Sequence, residues 1–183
     1  MKKGFTLVEL LTVLAIIFTL TSISFPFYRT AQKNYVLENA AQKLAQDIRR
    51  VEEMGMSARE ITNPNDPREK IVPKGGYGIY LKLNPQEIII FADCNDDRQY
   101  TSGNVCGTFP RKFSEKIEDL NLESKVRLTN LSPLSPLNIT FKPPDPTIFI
   151  DGSDSATITI SLESDPSKTK TIRINKAGLI YVE

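Results

Sequence analysis

From Phe5 to Phe27 the chain is almost continuously apolar, interrupted by hydroxyl side chains and by a single acid, Glu9. A helix needs about 20 such residues to cross the hydrocarbon core of a bilayer, so this run is long enough. Beyond it the apolar positions become one-sided. Leu37, Ala41, Leu44, Ile48 and Val51 step by four, three, four and three, while Gln42, Lys43, Gln46, Asp47, Arg49 and Arg50 fill the other faces. That spacing is one apolar stripe along a helix. Together the two segments predict a nearly continuous helix from Phe5 to about Ala58, ended by Asn63-Pro64 and Pro67.

After the prolines the period changes to two. Tyr77, Ile79, Leu81 and Leu83 alternate with Gly78, Tyr80 and Lys82, and Glu87 to Ala92 is a short apolar run after an Asn84-Pro85 turn. Val126 and Leu128 begin another alternation; Ile139 with Phe141, and Ile148 with Ile150, follow before an Asp151-Gly152 turn. Ala156, Ile158, Ile160 and Leu162 alternate with Thr157, Thr159, Ser161 and Glu163. A turn at 164–166 leads to Ile172 and Ile174, and one at 176–178 leads to Leu179 to Val182. These are strands separated by turn residues. One long helix followed by many strands predicts an α+β fold, with the helix, transmembrane in its first half, packed on an antiparallel β-sheet domain. Residues 111–137 carry no motif that places them.

Composition narrows the chemistry. The 183 residues give room for one domain and an anchor. The chain has no histidine, which removes the commonest general base at neutral pH and the commonest zinc ligand. Its two cysteines, Cys94 and Cys106, cannot form a four-thiolate metal site. No catalytic constellation remains, so the chain is not expected to be an enzyme. The balance of 23 basic against 22 acidic residues, a net +1, gives no overall attraction to nucleic acid.

Lys2 and Lys3 precede the apolar run and a longer mixed-charge segment follows it, which puts the N-terminus in the cytoplasm and exports the rest. A secretory signal peptide is one reading, with Ser22 and Ser24 imitating a small-x-small cleavage site. The run is longer than a signal core, and Glu9 lies inside it. A plain single-pass anchor also leaves Glu9 unexplained, because a carboxylate at mid-bilayer costs about 2.5–3.5 kcal/mol even on lenient scales.

The segment Lys2-Lys3-Gly4, then Phe5-Thr6-Leu7-Val8-Glu9, then an apolar stretch closing with Pro26, resembles the class III signal of type IV prepilins and type II secretion pseudopilins. The resemblance implies that a prepilin peptidase cuts between Gly4 and Phe5 and methylates Phe5. It implies a leader at 1–4, a transmembrane and filament-core helix at 5–27, its amphipathic continuation at 28–62 and a globular β-rich domain at 63–183. Cleavage would place a positive α-amine on Phe5, and Glu9 of a neighbouring subunit could pair with it and set the axial register. Pro26 would kink or loosen the helix as it leaves the membrane. Without the two leader lysines the 23 basic residues become 21 against 22 acidic, a net −1.

Phe91, Asp93 and Asn95, with Ile172-Arg173-Ile174 followed by Gly178 and Ile180, resemble the GspH/FimT group of minor pilins and pseudopilins. That resemblance implies a filament or secretion subunit whose partners are other pilins, the membrane and the peptidase. A DNA-binding minor pilin for DNA uptake is the alternative. Lys168, Lys170, Arg173 and Lys176 would serve it, but the tail Leu179-Ile180-Tyr181-Val182-Glu183 is apolar and acidic, so no nucleic-acid partner is expected. The basic set Arg111, Lys112, Lys116, Lys125 and Arg127 is interleaved with acids and reads as a solvated surface. Export permits a Cys94–Cys106 disulfide, and the even count favours one. Asp93, Asn95 and Asp97 alternate and could offer oxygens to calcium. However, Arg98 stands where an EF-hand-type loop wants glycine, and Asn104 stands where it wants glutamate, so a solvated loop without a cofactor is expected.

Overall fold

The computed structural model describes residue 4 and residues 6–107, 112–143 and 147–183; the side chains of 24–27, 29 and 147 lie outside that description. Helix α1 (Leu7–Met56) takes the predicted helical pattern from Leu7 onward and stops two residues before Ala58. Among the described residues thirteen strands follow: β1 (Ile61–Asn63), β2 (Asp66–Ile71), β3 (Gly76–Lys82), β4 (Glu87–Asp93), β5 (Val105–Cys106), β6 (Phe113–Ser114) and β7 (Lys116–Asp119). The series continues with β8 (Val126–Ser132), β9 (Leu137–Lys142), β10 (Thr147–Ile150), β11 (Ser155–Leu162), β12 (Asp165–Asn175) and β13 (Ile180–Val182). The fold is α+β. By its contacts the chain forms two units, Met1–Val36 and Leu37–Glu183.

In the first unit Leu7, Val8, Leu10, Phe18, Leu20 and Ile23 are all more than half exposed. Among the described residues nothing covers these side chains, and so extended an exposed apolar surface is the kind that takes up a partner or a lipid surrounding.

In the second unit the strands form two main antiparallel sheets, in the orders β10-β9-β3-β4-β7 and β13-β12-β11-β8. The chain changes sheet between β7 and β8, between β8 and β9, and between β10 and β11, and Pro133 and Pro136 stand at the second of these changes. Neither proline can donate a ladder hydrogen bond, so one strand ends and the next joins the other sheet. On the first sheet, Tyr77, Ile79 and Leu81 pair with Ala92, Ile90 and Ile88 on one side and with Phe141, Ile139 and Leu137 on the other. Paired residues share a face, and all nine are buried. On the second sheet, Ala156, Ile158 and Ile160 lie beside Ile174, Ile172 and Lys170.

The stripe of α1 closes this core: Leu37, Ala41, Leu44, Ile48 and Val51 are at most 4% exposed. Polar ties from the helix reach both sheets. Glu38 pairs with Lys170 of β12 at 2.8 Å, Arg49 Nη2 donates to Ile180 O of β13 at 2.8 Å, and Arg50 pairs with Glu118 of β7 at 2.7 Å. Two elements differ from the sequence expectation. The helix ends at Met56 rather than reaching 62, and residues 61–71, where Asn63-Pro64 and Pro67 were expected only to end it, form the β1–β2 hairpin, in which buried Asn63 donates through Nδ2 to Glu69 at 2.7 Å. Residues 105–119 contribute three short strands, of which β7 is polar and exposed along its whole length.

The helix and β9 meet at Gly55, where a Cβ would lie 2.5 Å from Phe141 O. Gly55→Ala is expected to push α1 off the sheet and lower stability by about 1–3 kcal/mol, despite alanine's better helix propensity. The urea midpoint of the full chain measures this; an unchanged midpoint would mean the helix shifts without cost.

Candidate functional site

Helix α1 starts directly after Thr6, and its first turn carries the acid. Thr6 N and the Thr6 hydroxyl both donate to Glu9 Oε2 at 2.8 Å, and Glu9 N donates to Thr6 Oγ1 at 3.2 Å. This is a capping box: the N-cap hydroxyl takes one orphan amide of the first turn while the acid three residues on takes another. Glu9 therefore has partners in its own helix before any neighbour arrives. The Thr-x-x-Glu spacing was visible in the sequence, but Thr6 had been given no role. Farther along the run, the hydroxyls of Thr12, Thr19, Thr21 and Ser22 donate to carbonyls three or four residues back at 2.7–2.9 Å. Each hydroxyl is thereby satisfied without water, which suits an apolar surrounding.

Among the described residues nothing lies within 4 Å of a Cβ added at Gly4, so their packing does not demand glycine there. Phe5, Lys2 and Lys3 lie outside the described residues, and Pro26 lies within α1 with its side chain outside the description. Among the described residues no helix is long and apolar enough to cross a membrane. The apolar run of the sequence continues through 24–27, where side chains are not described.

Residues 1–25 match a family model described as the prokaryotic N-terminal methylation motif. This is a type IV prepilin-like chain. The match spans Gly4, Phe5, Thr6 and Glu9 and covers only the N-terminal end of the chain. No curated protein and no solved structure matches the chain.

A second cluster lies in the prepilin-like chain's β domain. Cys94 and Cys106 form a disulfide with Cα atoms 5.3 Å apart, closing a loop over the outer face of the first sheet. The loop is held from beneath by Asp93, which is fully buried. Its Oδ1 accepts the amides of Asp96 at 2.7 Å and Asp97 at 3.3 Å, and its Oδ2 accepts that of Arg98 at 2.8 Å. Gly75 makes room for this carboxylate, since a Cβ there would lie 2.0 Å from Asp93 Oδ2. Asp96 and Arg98 both take left-handed backbone angles, each with φ of 64°. Asp97 is also occupied: Oδ1 accepts Gln99 N at 2.9 Å, while Oδ2 accepts the side-chain amides of Asn95 and Asn104 at 2.8 and 3.0 Å. The residues considered for calcium thus serve the loop's own hydrogen bonds. Among the described residues no group of three or more Cys, Asp or Glu side chains is arranged to hold a metal.

Side chains then fasten the loop to the sheet. Lys142 pairs with Asp96 at 2.6 Å, Arg98 lies 3.5 Å over the Phe149 ring, and Tyr100 packs against Phe91 and Tyr80. Phe91 in turn occupies the space above Gly78, where a Cβ would meet its ring at 2.4 Å. The C-terminal basic set is spoken for as well. Lys170 holds Glu38, Arg173 holds Glu183, Lys176 holds Asp154, and Lys168 also has a partner within the chain. Lys116 of the other set holds Asp119, while Arg111 lies outside the described residues.

Glu115, another residue without an assigned role in the sequence reading, completes the loop's underside. Its Oε1 accepts Cys94 N at 3.1 Å and its carbonyl accepts Ala92 N at 2.8 Å, while its fully buried Oε2 has no partner. Burial pushes this carboxyl above its ordinary 4.5, the Cys94 amide and Asn104 pull it back, and Asp93 and Asp97 raise it further. Burial likewise raises Asp93 against its three amide bonds. A raised carboxyl binds its proton more tightly folded than unfolded, so its contribution is present below 4.5 and is lost as pH rises through the folded value. Glu115→Gln is expected to stabilise the domain at neutral pH by about 1–3 kcal/mol, because it removes a charge from an unsatisfied buried position. It should also flatten the fall in stability above pH 4.5. Denaturation midpoints across pH measure both; a neutral-pH loss in the variant would show that the charge is accommodated.

Proposed function

We propose that this chain is a structural and assembly subunit of a type IV-like filament, a minor pilin or type II secretion pseudopilin rather than an enzyme. The N-terminal methylation motif carries this reading. In it, the prepilin sits in the inner membrane with its N-terminus in the cytoplasm, and a single helix over residues 5–27 spans the bilayer. A prepilin peptidase cuts between Gly4 and Phe5 and methylates Phe5. The β domain lies outside the cytoplasm, and the mature helix then packs among other pilin or pseudopilin helices in the filament. The GspH/FimT group remains the reading of the β domain.

The exposed apolar face of α1 supports a role that transfers this helix from lipid to protein surroundings. The Thr6–Glu9 cap refines the role of the acid. Inside an apolar medium a carboxylate costs about 2.5–3.5 kcal/mol, whereas an N-cap contributes about 0.5–2 kcal/mol. The cap alone falls short, and the α-amine freed on a neighbour's Phe5 supplies an opposite charge. DNA uptake has less support, because most of the C-terminal cations already hold carboxylates.

Mass spectrometry of the mature protein from membranes should find an N-terminal methylated Phe5. A first residue near Phe25 would instead establish secretory cleavage. Glu9→Leu should leave membrane insertion intact and reduce incorporation into filaments at least tenfold, about 1.4 kcal/mol or more per contact. Filament yield from cells carrying this variant measures it, and undiminished incorporation would remove the register role.

A further inference from the structure

Four carboxylates stand at the Cys94–Cys106 loop: Asp93, Asp96, Asp97 and, between β6 and β7, Glu115. Among the described residues only Asp96 is paired with a cation, Lys142 at 2.6 Å. The other three accept amides alone. Arg98, the one basic residue between the two cysteines, lies over the Phe149 ring. Glu115 is bonded to both arms of the loop: its Oε1 accepts Cys94 N at 3.1 Å, and its own N donates to Asn104 O at 3.4 Å. It is fully buried and its Oε2 has no partner. A buried charge left in this way weakens the fold, so stability does not account for it.

Its place beside the disulfide does. A thiol reduces a disulfide as the thiolate, which attacks one sulfur, breaks the S–S bond and expels the other cysteine as a thiolate. The expelled thiolate takes a proton from water, and a second thiolate then removes the first as a small disulfide. Two thiols are oxidised and one protein disulfide is reduced. Cys106 is fully buried and Cys94 half-buried, so the attack falls on Cys94 and Cys106 is the leaving group. Cys106 Sγ stands 3.9 Å from Ala92 O, whose partial negative charge also opposes a thiolate. Both the arriving anion and the departing one therefore meet negative charge, and salt screens buried charges poorly.

We propose that Glu115, with Asp93 and Asp97, shields the Cys94–Cys106 disulfide from small thiols, so that the bond, once formed, latches the loop in one direction. The partnerless carboxylate then serves the permanence of the bond at the expense of the fold around it. This inference rests on the disulfide and not on the N-terminal motif.

Reduction of the folded full chain in uncharged detergent micelles tests it, with released thiols counted by alkylation and mass spectrometry. Cysteamine, 2-mercaptoethanol and 3-mercaptopropionate differ in charge; their rates per thiolate are divided by those on a short uncharged peptide disulfide. On the native chain the corrected rates should fall several-fold from the cationic to the neutral thiol, and again to the anionic one. Glu115→Gln should be reduced several-fold faster by mercaptoethanol and show a narrower spread, whereas Glu163→Gln, an exposed acid of the second sheet, should match the native chain. The sign is decisive, because Glu115→Gln is expected to stabilise the domain. A bond opened through unfolding would be reduced more slowly in that variant. Slower or unchanged reduction of Glu115→Gln, or equal corrected rates for the three thiols, would overturn the proposal. If Glu115→Gln fails to fold, the three thiols on the native chain decide the matter.

Discussion

The second half of α1 is the joint on which the β domain depends. Two sheets with separate strand orders must share one core, and the helix stripe from Leu37 to Val51 is the surface that reaches both. Each buried leucine or isoleucine of that stripe contributes about 1.5–3 kcal/mol, while Ala40, Ala41 and Ala45 allow the backbones to come close. Gly55 extends this close approach to Phe141. The ties to Lys170, Ile180 and Glu118 then fix the rotation of the helix against strands from both sheets. A stripe alone would hold the helix but would allow it to slide; these directional contacts remove that freedom.

The same helix has a first half without any such partner within the chain. Glu9 and the hydroxyls of Thr6, Thr12, Thr19, Thr21 and Ser22 are satisfied by the helix itself, so these groups can leave water without being stranded. The capping box makes this economical at the N-terminus, where four amides would otherwise lack acceptors. Glu9 is the exception in degree, since a cap does not offset the full cost of a charge in an apolar medium. That remaining cost gives the segment its directionality: it favours an arrangement that brings a cation to this one turn.

Much of this was legible in the sequence where a pattern recorded burial. The four-three spacing from Leu37 to Val51 and the alternation from Ala156 to Leu162 each became a core face. The β7 strand was not legible, because Lys116-Ile117-Glu118-Asp119 buries no face and so has no apolar period to read. Asn63-Pro64 looked like a break because proline stops a helix, yet it is also a turn former, and the buried Asn63 side chain makes it a hairpin. The division into two sheets was not legible either, because Pro133 and Pro136 mark one boundary between them without naming the partner strand. Glu115 was hidden for a different reason: an acid in a polar stretch gives no sign that the fold will bury it. Thr6 could have been found, since Thr-x-x-Glu before an apolar run is itself a helix-start signal.

The disulfide loop is held in shape by two devices, a buried carboxylate and a covalent bond. Left-handed angles at Asp96 and Arg98 cost about 1–3 kcal/mol each and persist only where surrounding contacts over-determine them. Here Asp93 accepts three loop amides from below, and the Cys94–Cys106 bond, closing a separation of 12 residues, stabilises by about 3 kcal/mol in the chain-entropy model. Both devices are needed, because the carboxylate fixes the backbone only if the loop returns to it, and the disulfide brings it back without fixing its shape. A structural disulfide of this kind persists in oxidising surroundings rather than in the cytosol. The N-terminal methylation motif implies the same destination for the domain by a wholly separate route. The chemistry of the Cys94–Cys106 loop thus supports the proposed export without drawing on the N-terminal signal.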